Sequence, residues 1–234
     1  MTQTFFEHLE ALRTVLLRCL VTVGIFYVPS YFLAQFCIQW LISWCCPAEI
    51  GQLNFFSPME VFIVQLKLAL VLAVLISFPY CIWQIWNFLL PALQAHEKEA
   101  LKYWIVLASF LFVCGVAFCV LLILPLVMQF AVSFASDKLN PVIGLADFLN
   151  LSCGLMLVFG VGFQLPLTVL LCVRFGLIQV QFLRDKRTYV VVGILIVSAV
   201  VTPPDIISQI MLALPMWLLF ELGLLLARRI EIKL

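Results

Sequence analysis

Charge is scarce in this sequence. Only 13 Lys+Arg and 12 Asp+Glu occur among 234 residues, 11% of the chain against about 25% in an ordinary soluble domain. Hydrophobic residues make up 65%, more apolar surface than one soluble domain can withdraw from water, so a soluble fold is excluded and lipid must be part of the solvent. The near balance of the two signs excludes the strongly basic stripe of a nucleic-acid binder. Histidine is reduced to His8 and His96, far apart and without the paired spacing of a zinc protease. Gly-Lys does not occur, which removes the phosphate loop of a nucleotide hydrolase, and there is no Gly-x-Ser-x-Gly elbow. The nine cysteines contain no Cys-x-x-Cys pair. Most read as buried hydrophobes; Cys37, Cys45 and Cys46 fall in the first outer loop, where a disulfide is left open. The residues point to no enzyme site, cofactor or metal.

What the chain does have is long uncharged runs. Cys19–Phe36, Leu68–Leu90, Tyr103–Phe130 and Leu149–Val173 each approach or exceed the roughly 20 residues that cross a bilayer core of ~30 Å. Tyr189–Val201 and Ile206–Phe220 are shorter; at 1.5 Å per residue the first reaches only ~20 Å. Charge placement decides how to read them, because Lys and Arg accumulate in short cytoplasmic loops. With the N-terminus inside, Arg13, Arg18, Lys98, Lys102, Arg174, Arg184, Lys186, Arg187, Arg228, Arg229 and Lys233 all fall on the inner side, leaving Lys67 and Lys138 outside. That bias requires the last two runs to form a hairpin with Thr202-Pro203-Pro204-Asp205 facing outward. The expected fold is therefore all-α: a polytopic membrane protein of six transmembrane helices, approximately 18–36, 68–90, 103–130, 149–173, 189–201 and 206–227, with both termini cytoplasmic. No connection is long enough for a separate globular domain, so residues 1–234 read as one membrane domain. Two short helices side by side also predict a locally thinned bilayer.

Glu7 and Glu10 occupy the place of a basic n-region, so the first residues are not read as a cleavable signal peptide. Phe5, Leu9, Leu12 and Leu16 recur at helical spacing, which predicts an amphipathic entry helix over 1–17 on the inner leaflet before the chain turns into the first span. Pro29, Pro79, Pro125, Pro166 and Pro215 fall within spans. Each removes a backbone donor and kinks its helix, which predicts a bent, concave bundle. Polar residues in lipid need a reason: Gln164 lies mid-span beside Pro166, placed to satisfy a freed carbonyl or to face a polar partner. Gln84 and Asn87 approach the interface. The inner loop Leu90–Glu99 sets Glu97 and Glu99 near Trp86 and Phe88, and a carboxylate among aromatics at an interface can capture arginine by paired hydrogen bonds and stacking.

Several segments resemble one known family. His8-Leu9-Glu10-Ala11-Leu12-Arg13, Phe78-Pro79-Tyr80, Gln84 through Leu93, His96-Glu97, Gly162-Phe163-Gln164-Leu165-Pro166, Lys186-Arg187-Thr188-Tyr189 and Thr202 through Gln209 are similar, in order, to the TatC family of the twin-arginine protein translocase. The resemblance implies a core subunit in the bacterial inner membrane that binds twin-arginine signal peptides of folded proteins at the cytoplasmic face. It further implies TatA and TatB as partners, self-association, and drive by the proton-motive force without nucleotide. Signal-peptide contact is then expected at Glu97 and Phe88, with Arg13 and either Glu10 or Glu7. Relatives place a glutamate directly before the Leu-Arg pair, whereas Glu10 stands one residue earlier, a rotation of ~100° on a helix. Gln164 stands where many relatives carry glutamate; an amide cannot titrate, so its polarity serves docking of the peptide or a partner helix. Asp205 and Gln209 match residues tied to partner contact or translocation. Even arranged as a ring, six helices each ~10 Å across leave a lumen of only ~10 Å, while a folded 100-residue cargo has a radius of gyration near 13 Å, which favours a receptor over a self-contained pore. Two other classes stay open at this level. A secondary transporter of a small solute needs a charged mid-bilayer site, and a thiol oxidoreductase needs paired outer cysteines.

Overall fold

The computed structural model describes residues 2–45, 53–89, 98–133, 142–174, 176, 178–201 and 206–231. Among these the regular structure is helical, with one isolated β-bridge between Asn54 and Gly144. Helix is the form that leaves no backbone group unpaired in lipid. Five helical stretches are long and apolar enough to cross a membrane, and a shorter apolar helix accompanies them. An all-α, polytopic architecture is what the uncharged runs predicted.

The first span departs from expectation. Helix α1 (Thr2–Cys45) is unbroken, so the entry segment 1–17 does not turn before the span but continues into it. Thr14 and Thr22 each donate their hydroxyl to the carbonyl four residues back, Glu10 and Arg18, side-chain bonds that follow the helical ladder across the expected turn. At 1.5 Å per residue its 44 residues reach about 66 Å, twice the hydrocarbon thickness. Leu9, Leu12 and Leu16 are exposed along with Leu20, Ile25, Phe32 and Phe36. Cys37 and Cys45 lie on this helix rather than in a loop, and neither is in a disulfide. Eight residues apart, they are separated by ~12 Å of rise, too far to bridge; Cys46 lies outside the described residues.

Helix α2 (Pro58–Leu89) starts ten residues before the expected span and contains Lys67, which the charge reading had placed in an outer loop. A long aliphatic stem lets such an ammonium reach the interface from within a helix. Glu60 lies in its first turn, where a carboxylate is favoured by the helix dipole.

The third span is α3 (Lys98–Phe118), a π-helical turn (Cys119–Ile123) and α4 (Leu124–Val132). Pro125 is the cause. With no N–H to offer, it cannot continue the α-ladder, and the chain shifts so that Leu124 N–H donates to the Cys119 carbonyl, five residues back. The acceptor then left over is the Val120 carbonyl, whose i+5 partner would be Pro125. Cys45 fills that gap: its thiol donates to the Val120 carbonyl at 3.8 Å, with both residues buried. Cys45→Ala should therefore lower the unfolding temperature in detergent, by about 1 kcal/mol of lost hydrogen bonding, while Cys45→Ser keeps a donor and retains it. A serine variant as unstable as the alanine one would remove this role.

The fourth span divides into α5 (Leu145–Gly162) and α6 (Leu165–Arg174). Pro166 again explains the break, since it fits the first turn of a new helix but not the interior of a continuous one. At the junction Gln164 N–H donates to the Val161 carbonyl at 2.9 Å, a tightened i to i−3 bond. Gly176, with φ 67°, turns the chain out of α6. A short helix not expected from the sequence, α7 (Val180–Asp185), precedes α8 (Arg187–Val201) and α9 (Ile206–Glu231).

Only α8 is short. Its 15 residues give about 22 Å, whereas the 26 residues of α9 give about 39 Å. The expectation of two short helices side by side is thus corrected. Helix α9 runs past Glu221, which pairs with a cation instead of ending the apolar run.

The chain groups into two compact units, Met1–Trp40 with Ser57–Phe110, and Leu41–Phe56 with Leu111–Leu234. In the first, the small residues Ser30, Ala34, Ala69, Ala73, Ser77 and Ala108 are buried together with Leu68 and Val64. Small side chains let membrane helices approach where no hydrophobic effect drives them together. Gln65 Nε2 donates to the Tyr31 carbonyl at 3.4 Å, joining α2 to α1. In the second unit, Phe112, Phe148, Phe159 and Leu212 are fully buried. Val169, Val173, Val180, Phe220, Leu224 and Ala227 form a cluster that binds α6 and α7 to α9. Asn54 N–H donates to the Ile143 carbonyl and Leu145 N–H to the Asn54 carbonyl, so the bridge ties 53–57 to the start of α5.

Candidate functional site

The polar residues of the first unit gather on two helices. Glu7, Glu10 and Arg13 stand three residues apart on the opening turns of α1, which places them on one helical face. Glu10 and Arg13 are exposed. At the far end of α2 the face is aromatic. Gln84, buried with 6% exposure, donates Nε2 to the Tyr80 hydroxyl at 2.6 Å. Tyr80 packs on Trp83 with ring centroids 5.7 Å apart. Gln84 is thus held inside the unit and not left at the interface, as the sequence implied. Phe88, the last aromatic before the inner loop, is half-buried. The Trp86 indole N–H is buried without an acceptor among the described residues. Glu97 lies outside the described residues.

The second unit holds the other candidates. Gln164 is half-buried at the α5–α6 junction, and its carbonyl accepts Thr168 N–H at 2.8 Å. Gln209 Nε2 donates to the Leu195 carbonyl at 3.0 Å, so it ties the start of α9 to α8. Asp205 lies outside the described residues. At the opposite end of the same hairpin, Arg187 Nη2 meets Glu221 Oε2 at 2.9 Å. These two contacts fix α8 and α9 as antiparallel neighbours, which supports counting α8 as a crossing.

The Arg187–Glu221 pair was missed at the sequence level, although a signal existed: the two stand at nearly equal distances from the Thr202–Asp205 turn. The side chains are 43% and 21% exposed, so the pair is neither deeply buried nor fully screened. Arg187→Ala and Glu221→Ala should each lower stability, and the double variant should lose less than their sum, with a coupling of about 1 kcal/mol. Additive losses in a thermal-unfolding cycle would mean that the contact contributes nothing. Among the described residues no three His, Cys, Asp or Glu side chains come together as a metal site would need.

Among the described residues there is no nucleophile–base pair and no cofactor cradle. The arrangement consists of a charged helix start, an aromatic helix end and a polar-stapled hairpin. The family model for Sec-independent protein translocase protein (TatC) matches residues 7–215. The chain belongs to the TatC family. A TatC from Haemophilus influenzae is 35% identical over 97% of this chain and 90% of its own. One from Escherichia coli K12 is 32% identical, covering 97% and 89%. The crystal structure of a TatC described as the twin-arginine translocase receptor superposes with a TM-score of 0.87 at 25% identity, over 95% of this chain and 98% of that one. Membership makes the chain a protein-translocase component rather than a member of an enzyme family, and it matches the polytopic helical fold throughout.

Proposed function

We propose that this TatC family member is the signal-peptide receptor of its translocase. It would bind the arginine pair of a folded cargo's signal peptide at the cytoplasmic face of a bacterial inner membrane. In this reading residues 1–234 act as one membrane domain with both termini cytoplasmic, and Glu97 with Phe88 forms the centre of the contact. Arg13 and Glu10 or Glu7 complete it from the opening turns of α1. Gln164, Asp205 and Gln209 serve TatA, TatB or a second copy of the chain, and the proton-motive force drives transport without nucleotide.

The observation that carries the reading is the whole-chain likeness to a twin-arginine translocase receptor. Two local features support it. Glu10 is exposed on the opening turns of α1, three residues from Glu7 in sequence, and a carboxylate there matches a cationic ligand. The end of α2 supplies aromatic rings on which a guanidinium can stack. Photocrosslinkers at positions 7, 10, 88 and 97 test the reading with an Arg-Arg signal peptide and its Lys-Lys counterpart. Strong crosslinks from 88 and 97 that fade with Lys-Lys are expected, and the stronger of 7 and 10 identifies the second carboxylate. Equal crosslinking of both peptides would overturn the arginine site.

A further inference from the structure

In the second unit, α5 and α8 leave between them an apolar groove of about 590 Å³, walled by Val158, Val161, Leu165, Val190 and Val197, with Met216 of α9 buried beneath. At one end α5 and α8 come close: a Cβ on Gly154 would lie 3.0 Å from Val201 Cγ1. At the other end the lining finishes at Leu165, the first residue of α6, and Val190. One turn beyond Val190 stands Lys186, whose carbonyl accepts the Val190 N–H. By that register Lys186, Val190, Ile194 and Val197 follow one helical stripe. Lys186 Nζ lies 5.0 Å above the Tyr189 ring and 6.0 Å above that of Phe182. Tyr189 is 71% exposed, the amphipathic ring and cation that mark headgroup depth. Arg184 and Lys186 are exposed, while Arg187 is engaged by Glu221 and Asp185 accepts Gln181 Nε2.

We infer that this groove seats an acyl chain of an anionic phospholipid whose phosphate lies against Lys186 and Arg184. The shape selects the occupant. From Val190 to Val197 the groove follows only ~10 Å of helix, about a third of the ~30 Å hydrocarbon core, before the Gly154–Val201 contact closes it. A transmembrane helix is rigid and needs a seam that continues across the bilayer; a flexible chain can end at the pinch. The charge selects the headgroup, because the α7–α8 junction one turn before Val190 carries two exposed cations, Arg184 and Lys186, against one hydrogen-bonded carboxylate, Asp185.

Gly193 offers a clean test. It lines the groove, and a Cβ there would meet nothing within 4 Å, so Gly193→Leu introduces side-chain volume into the groove from α8 with no clash at Cβ. The full chain, in phosphatidylcholine vesicles, is probed with spin-labelled phosphatidylglycerol or spin-labelled phosphatidylcholine. Phosphatidylglycerol should be immobilised in preference, and Lys186→Ala should reduce that preference about fivefold. Gly193→Leu should remove the immobilised component for both lipids while the unfolding temperature holds. Val161→Trp, which fills the groove from the opposite wall, should do the same and replaces Gly193→Leu if that variant misfolds. Equal immobilisation of the two lipids by the unaltered protein would overturn the proposal, as would filled-groove variants that still hold phosphatidylglycerol. Displacement of a co-purifying membrane helix with no change in lipid would overturn it as well.

Discussion

Glu97→Ala is expected to abolish binding of arginine-pair signal peptides while the protein accumulates in the membrane at its normal level. A carboxylate accepts two parallel N–H bonds from one guanidinium, a geometry that an ammonium cannot reproduce. Charge-assisted bonds of this kind contribute about 1.5–3 kcal/mol each, so the loss in affinity should be tenfold at the least and a hundredfold if both bonds form. Glu97→Gln keeps one acceptor and removes the charge, and should retain part of the affinity with a weaker salt dependence. Phe88→Ala should weaken arginine-pair binding less than Glu97→Ala does, because a stacked guanidinium contributes about 0.5–2 kcal/mol. Binding of labelled Arg-Arg and Lys-Lys peptides to purified protein separates the two effects. A Glu97→Ala protein that binds Arg-Arg peptides normally would remove Glu97 from the site and leave the α1 carboxylates as the remaining candidates.

How much of this was legible without coordinates depended on which physical signal each feature carries. Apolar runs free of charge locate membrane helices well, because lipid excludes charge, and each expected span coincides with a helical stretch. The ends were misjudged where charge and helix coexist. Glu60 and Lys67 lie inside α2, and Glu221 inside α9, because long side chains or a partner on the next helix remove the cost of keeping them. The prolines were visible but not their consequences. Pro29, Pro79 and Pro215 stay within continuous helices, Pro125 follows a π-turn and Pro166 a break. Which outcome occurs depends on neighbours such as Cys45, distant in sequence. The short α7 has too few residues to leave a period. At the candidate site, the residue types came from motif resemblance. The structure adds the exposure of Glu10 and Arg13 on a continuous α1 and the hairpin contact of Gln209. That contact binds the side-chain amide to a backbone carbonyl within the chain.

The second large effect concerns the packing of α9. A Cβ on Gly223 would lie 2.8 Å from Pro166 Cα and 3.3 Å from Val169 Cβ, and the nearest atom is backbone, which cannot rotate away. Gly223→Leu must therefore push α6 and α9 apart, at a cost of about 1–3 kcal/mol or more. The damage should spread, since the same seam carries Val169, Val173, Phe220, Leu224 and Ala227, and α9 also anchors α8 through Glu221. Gly223→Ala should be milder, because the methyl clash is partly offset by roughly 1 kcal/mol of helix propensity. Gly24 supplies the control, for a Cβ there meets nothing within 4 Å and Gly24→Leu should leave stability unchanged. Thermal unfolding in detergent, with loss of the folded peak in gel filtration, ranks the three variants. If Gly223→Leu unfolds no earlier than Gly24→Leu, the α6–α9 seam is not close-packed at this point.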